Sequence, residues 1–169
     1  GKFPVVVMLH GTGSNRDEAG NGYKMAAPVL AEKYGIATVR IDFRGSGDST
    51  ADYTGYTFES AVSDAVAAAN YAKTLEQIDG EHIGVMGWSQ GGTDALLCAA
   101  RAADVFTSVV TWAGAPDLRD MLTDELYEQA KANGYFVMDF DWREPLNVSL
   151  QWCEDVKNTD VLGEFEASY

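Results

Sequence analysis

The sequence predicts a three-layer α/β sandwich built on a mostly parallel sheet. Three observations carry that expectation. Apolar runs of strand length recur at Pro4 to Leu9, Ile36 to Phe43, His82 to Met86 and Phe106 to Trp112. The stretches between them have helical spacing, and a polar, glycine-containing loop follows each run. Strands that alternate with helices pair in parallel through right-handed crossovers, which places helices over both faces of the sheet.

Pro4-Val5-Val6-Val7-Met8-Leu9 is nearly continuous in apolar and β-branched residues, as suits a strand buried on both faces, and it ends at His10-Gly11-Thr12-Gly13. A helix is expected from about Tyr23 to Tyr34, with Met25, Ala26, Val29 and Leu30 on one stripe and Gly35 as its stop. The second strand, Ile36 to Phe43, runs into a loop from Arg44 to Tyr56. Thr57 reads as the cap of a long amphipathic helix reaching about Gln77, and the third strand, His82 to Met86, follows. The run from Thr93 to Ala103 is rich in alanine, which lets a helix press closely on a sheet, and Phe106 to Trp112 is the fourth strand.

Residues 1–116 therefore form the sheet-and-helix core, and residues 117–169 an insertion of different character. Its charged helical segment, Leu118 to Ala132, leads into the aromatic-rich stretch Gly134 to Trp142 and a further helical pattern to Lys157. It is read as a lid or cap over the strand ends, with an ordinary packed insertion as the alternative.

The chain has 169 residues, 46% apolar and 22% charged, the balance of a soluble globular domain. Its 12 basic against 26 acidic residues give a net charge of −14, which argues against nucleic-acid phosphates or an anionic membrane surface as partners. No apolar run is long enough to span a bilayer. No signal peptide is visible, so the expected location is the cytoplasm, with export left open because the chain begins at Gly1. Cys98 and Cys153 read as buried free thiols, and no cluster of His, Cys or carboxylate residues has metal-ligand spacing. No metal or organic cofactor is expected, and the oligomeric state is unknown.

Gly87-Trp88-Ser89-Gln90-Gly91-Gly92 lies between the third strand and the helix that follows. A sharp strand-to-helix turn holds a serine in strained geometry with its hydroxyl clear of the sheet, and side chains at Gly87 or Gly91 would collide there. Ser89 is thus the candidate nucleophile. The unpaired N–H of Gln90, at the helix N-terminus, is the first candidate donor to a developing oxyanion. The second is the N–H of Thr12, in the loop where Gly11 lets the backbone approach.

Three segments in order, His10-Gly11-Thr12-Gly13-Ser14-Asn15, Asp42-Phe43-Arg44-Gly45-Ser46-Gly47-Asp48-Ser49 and Gly87 to Gly92, resemble the α/β-hydrolase superfamily, and most nearly its bacterial serine esterases of the cinnamoyl or feruloyl type. The likeness runs from about Pro4 to Pro116, and Trp142 to Asp155 looks like the lid of those enzymes. It implies cleavage of small-molecule carboxylic esters through an acyl-enzyme on Ser89, with Thr12 and Gln90 N–H groups holding the oxyanion. The aromatics Trp88, Tyr135, Phe136, Phe140, Trp142 and Trp152 favour an apolar or aromatic acyl group, although most of them suit a core equally well.

The resemblance also implies an acid and then a histidine after the nucleophile, and this chain has no histidine after Ser89. His10 belongs to the loop motif and suits a backbone support. His82 stands a strand length of roughly 20 Å from Ser89 at about 3.3 Å per residue. Asp117 is a weak candidate acid, since it is equally an ordinary helix cap. On this likeness the first strands and the C-terminal strands of the fold are missing, and the acid and histidine are expected beyond Tyr169. The alternative is an inactive hydrolase-like scaffold. A dinucleotide-binding unit, suggested by Gly11-x-Gly13 and Asp42, lacks the third glycine, because Arg16 stands there.

Overall fold

The computed structural model describes residues 1–168. Strands β1 (Phe3–Leu9), β2 (Ala37–Arg40), β3 (Ile78–Trp88) and β4 (Ser108–Trp112) form a parallel sheet in the order β2-β1-β3-β4. The apolar run of β1 sets that order: a strand with Val5, Val7, Met8 and Leu9 all buried needs a neighbour on each edge and cover on each face. Val5, Val7 and Leu9 join one hydrophobic cluster with Ala61, Ala65 and Ala69 of α2 (Phe58–Lys73) and Leu97 and Cys98 of α3 (Gln90–Arg101).

Local chemistry fixes the helix ends. Thr57 accepts from the Ser60 N–H at 3.0 Å, and the Ser60 hydroxyl accepts from the Thr57 N–H at 2.8 Å, a reciprocal cap that starts α2 at Phe58. Gly35, at φ 66°, ends α1 (Gly22–Tyr34).

The boundaries differ from the sequence reading in physically instructive ways. Strand β2 is short because Asp42 draws the chain out of the sheet: its carboxylate accepts from the backbone N–H of Arg16 at 2.7 Å and of Asp48 at 3.0 Å, and pairs with the Arg16 guanidinium. Helix α2 ends at Lys73, and β3 begins at Ile78 because the Phe3 N–H donates to the Gln77 carbonyl at 2.8 Å and a bulge absorbs the polar residues that follow. The expected stripe on α1 is split. Ala26 and Leu30 are half-buried, whereas Met25 and Val29 are 61% and 52% exposed, and Tyr23 is the helix's one fully buried side chain among the described residues.

Beyond β4 come α4 (Asp124–Asn133), β5 (Tyr135–Phe140), β6 (Arg143–Ser149), α5 (Leu150–Asn158) and α6 (Val161–Ser168). Strands β5 and β6 pair antiparallel, Phe136 opposite Val148 and Met138 opposite Leu146. The sequence reading recognised neither strand. Its signal is the alternation of buried Phe136, Leu146 and Val148 with exposed neighbours, which Pro145 and the interposed acidic residues obscure. These side chains, with Trp152 and Val156, belong to the same hydrophobic cluster as the sheet. Cys98 and Cys153 are buried free thiols, as expected.

Candidate active site

Ser89 occupies the single residue between β3 and α3, at φ 52° and ψ −121°. A non-glycine residue there stores on the order of 1–3 kcal/mol of backbone strain, which persists only where its surroundings over-determine the turn. Three hydrogen bonds do so: the Ser89 N–H donates to the Trp112 carbonyl at 3.2 Å, and its own carbonyl accepts from Gly92 at 2.8 Å and Ala115 at 3.2 Å. A β-carbon on Gly87 would fall within the Gly91 carbonyl, and one on Gly91 would strike the Leu9 and His10 carbonyls at the end of β1. Gly91 is thus needed for the approach of β1, rather than for clearance across the turn itself.

Gly11 meets the serine from the other side. A β-carbon built on it would stand 3.2 Å from the Ser89 β-carbon, so the loop after β1 lies directly against Ser89. Two buried side chains hold this loop. His10 donates from Nδ1 to the Gly11 carbonyl at 2.8 Å and accepts at Nε2 from the Phe43 N–H at 3.2 Å. Burial lowers its pKa, so the imidazole is neutral with both nitrogens committed. Glu18 accepts from the Gly11 N–H at 2.6 Å.

The two expected oxyanion donors are joined through their side chains. The Thr12 hydroxyl donates to Gln90 Oε1, Gln90 Nε2 donates to the Tyr56 hydroxyl at 3.1 Å, and Tyr56 donates to Asp94 Oδ2 at 2.5 Å. Gln90, Tyr56 and Asp94 are buried. Burial pushes the Asp94 carboxyl up to about 8 and the Tyr56 phenol well above its ordinary range.

A cleft of about 560 Å³ opens over Ser89, lined by Gly11, Thr12, Glu18, Trp88, Met121 and Trp142 among others. Trp142, at the β5–β6 turn, packs edge-on against Phe140, and the Arg143 guanidinium donates to the Gly13 carbonyl, which ties the hairpin to the loop after β1. A strained serine, a glycine backbone against it, a helix N-terminus and an aromatic-walled cleft together suit nucleophilic attack on a carbonyl.

The model of the prolyl oligopeptidase family matches residues 22–152, well over half of the chain. The chain belongs to the prolyl oligopeptidase family. An uncharacterised 31.7 kDa protein of Escherichia coli is 27% identical over 135 residues, 78% of this chain and 44% of that protein. The 2,6-dihydropseudooxynicotine hydrolase of Paenarthrobacter nicotinovorans is 35% identical over 124 residues, 70% of this chain and 30% of that one. Among solved structures, Est1E of Butyrivibrio proteoclasticus with ferulic acid bound superposes with a TM-score of 0.70 at 22% identity, over 96% of this chain and 64% of that one. The fold is that of the α/β hydrolases. The chain spans less than half the length of these two curated relatives.

In this member of the prolyl oligopeptidase family, Ser89, Thr12 and Gln90 converge, and the remaining candidates lie apart. His82 is exposed at the far part of β3 and pairs with Asp79 at 2.8 Å. Asp117 is exposed and bound by the Arg119 guanidinium, which with its backbone N–H holds the carboxyl down at about 2. The Ser89 hydroxyl has no hydrogen-bond partner among the described residues, so no side chain there is placed as its base. Asp42 is taken by Arg16, and α1 begins only at Gly22, so the loop after β1 does not cradle a pyrophosphate on a helix N-terminus. Of the aromatics, Trp88 and Trp142 reach the cleft, while Phe136 and Trp152 pack on each other in the core. Glu18, Tyr56, Asp94 and Met121 were not singled out from the sequence: Tyr56, Asp94 and Met121 meet the site through residues distant in the chain, and Glu18 reaches Gly11 through a loop with no regular spacing. Among the described residues no helix is long and apolar enough to cross a membrane.

Proposed function

We propose that this chain carries the nucleophile and oxyanion hole of a serine hydrolase that cleaves small-molecule carboxylic esters. The observation that supports it most directly is the strained Ser89 with the Gly11 backbone packed against its β-carbon. Ser89 Oγ adds to the ester carbonyl and gives its proton to a base. The oxyanion accepts hydrogen bonds from the Thr12 and Gln90 N–H groups. Collapse expels the alcohol, which takes up that proton, and water then releases the acid from Ser89 by the same steps.

Neither histidine of the chain suits the base, because His10 is buried with both nitrogens committed and His82 is on the outer part of β3. The reading therefore assigns the proton acceptor and its carboxylate partner to residues outside these 169. The segment 117–168 serves as a cover, since Trp142 and Met121 line the cleft. Trp88 and Trp142 favour an apolar or aromatic acyl group. The family match makes peptide cleavage the second reading.

The test is labelling of the full-length protein with a fluorophosphonate probe, followed by turnover of p-nitrophenyl esters of aromatic and short aliphatic acids and of a proline-containing peptide anilide. Labelling at Ser89 with faster turnover of the aromatic ester is expected. Turnover of the anilide alone would favour the peptidase, and a full-length protein that neither takes the label nor cleaves any of these would be the inactive scaffold.

A further inference from the structure

Asp94 is the least expected side chain in the molecule. It lies on α3 one turn beyond Gln90, is fully buried, and is paired with no cation among the described residues. Its Oδ1 has no hydrogen-bond partner there, and its Oδ2 is held only by the Tyr56 hydroxyl. A buried carboxyl with one oxygen unsatisfied costs more than an apolar side chain of the same size, so the position is not explained by packing.

The geometry points to Tyr56 and Asp94 as positioning residues that clamp the two halves of the oxyanion hole together. This rests on the reading of the Thr12 and Gln90 N–H groups as the oxyanion donors. With Tyr56 donating to Asp94, the phenolic oxygen is left to accept, which selects the NH2 end of the Gln90 amide. That choice turns Gln90 Oε1 toward Thr12, whose hydroxyl donates to it. One direction of donation thus runs from the loop after β1, through the first residue of α3, to the loop before α2, and ends on a carboxyl. Thr12 and Gln90 are 78 positions apart, and this bond between their side chains fixes the spacing of their backbone N–H groups. The transition state needs that spacing to a fraction of an ångström, whereas ground-state binding depends on it little.

The experiment compares Tyr56→Phe, Thr12→Val, Asp94→Asn and the Tyr56→Phe/Thr12→Val pair in the full-length protein. Tyr56→Phe is expected to lower kcat for an ester about tenfold or more with KM nearly unchanged. Adding Thr12→Val should cost little beyond the larger single effect, because both cut one chain. Asp94→Asn keeps an oxygen for the Tyr56 hydroxyl and should retain most of kcat. Independently of turnover, the Thr12 amide cross-peak in a 1H–15N spectrum should move in Tyr56→Phe and remain near its wild-type position in Asp94→Asn. Additive losses of kcat, or a folded Tyr56→Phe protein whose Thr12 resonance is unmoved, would overturn the clamp. A moved resonance in a protein without esterase activity would support the clamp and sink the esterase reading alone. If Tyr56→Phe does not fold, the Gln90 amide resonance in Thr12→Val decides, and an unmoved peak there refutes it.

Discussion

His10 Nε2 accepts the Phe43 N–H at 3.2 Å, and the two rings meet edge-on with centroids 4.9 Å apart. One imidazole therefore joins the loop after β1 to the loop after β2, and through Nδ1 it also holds the Gly11 carbonyl beside Ser89.

The stabilising contribution of this arrangement falls in acid. Burial lowers the folded-state pKa of His10, so the unfolded chain takes up the proton first. The contribution is fully present above the ordinary value of 6.5 and is lost as pH falls from there through the folded value. Urea unfolding at pH 7.5 and pH 5 should show the stability advantage of wild type over His10→Asn shrinking in acid, a difference in which groups common to both proteins cancel. At pH 7.5 that variant should be about 1–3 kcal/mol less stable, from its unsatisfied loop carbonyl and N–H.

Asp94 acts in the opposite direction. Its carboxyl is raised from 3.8 to about 8, so the folded state keeps a proton that the unfolded state has released. Its contribution is complete below about pH 3.8 and is lost as pH rises toward 8. The groups facing it, Tyr56, Tyr53 and Cys98, are neutral through this range, since burial raises all three. Asp94→Asn should therefore gain stability over wild type as pH increases from 4 to 8, by on the order of a few kcal/mol in unfolding free energy. Parallel curves for the two proteins would contradict this.

The strain at Ser89 predicts a difference between two inactive variants. Alanine keeps the left-handed geometry, with φ at 52°, whereas glycine tolerates it. Thermal unfolding should place Ser89→Gly above Ser89→Ala by about 1 kcal/mol, after allowing for the greater freedom of glycine in the unfolded chain. Neither should take a fluorophosphonate label.

Trp142 is 64% exposed and so contributes little to the core, yet it lines the cleft. Trp142→Ala should leave the melting temperature within a degree or two and raise KM for an aromatic ester roughly fivefold to twentyfold, on the order of 1–2 kcal/mol of lost contact. For a short aliphatic ester the change should be much smaller, and equal changes for both would remove Trp142 from the acyl pocket.

The parts legible in the sequence are those fixed by residues adjacent in the chain. The apolar run of β1 marks a strand covered on both faces, the Thr57 and Ser60 pair marks the start of α2, and Gly87, whose β-carbon would meet the Gly91 carbonyl, marks the turn at Ser89, because in each the determining atoms lie within a few residues. The β5–β6 hairpin escaped that reading. Its inward residues, Phe136, Leu146 and Val148, are too few and too interrupted by Pro145 to show a period of two before their partner strand is known.

By itself the sequence determined the alternating α/β order, the position of Ser89 and the loop that meets it. The tertiary structure alone decided which side chains hold that site: His10 as a neutral brace, Glu18 on the Gly11 N–H, and the line from Thr12 through Gln90 and Tyr56 to Asp94. The bonds from His10 to Phe43 and along the line to Asp94 join residues 33 to 78 positions apart, and Glu18 reaches Gly11 across a seven-residue loop, so they leave no periodicity or spacing in a chain. They exist only once the sheet has brought the loop ends together, and burial then gives His10 and Asp94 protonation behaviour that no local pattern encodes.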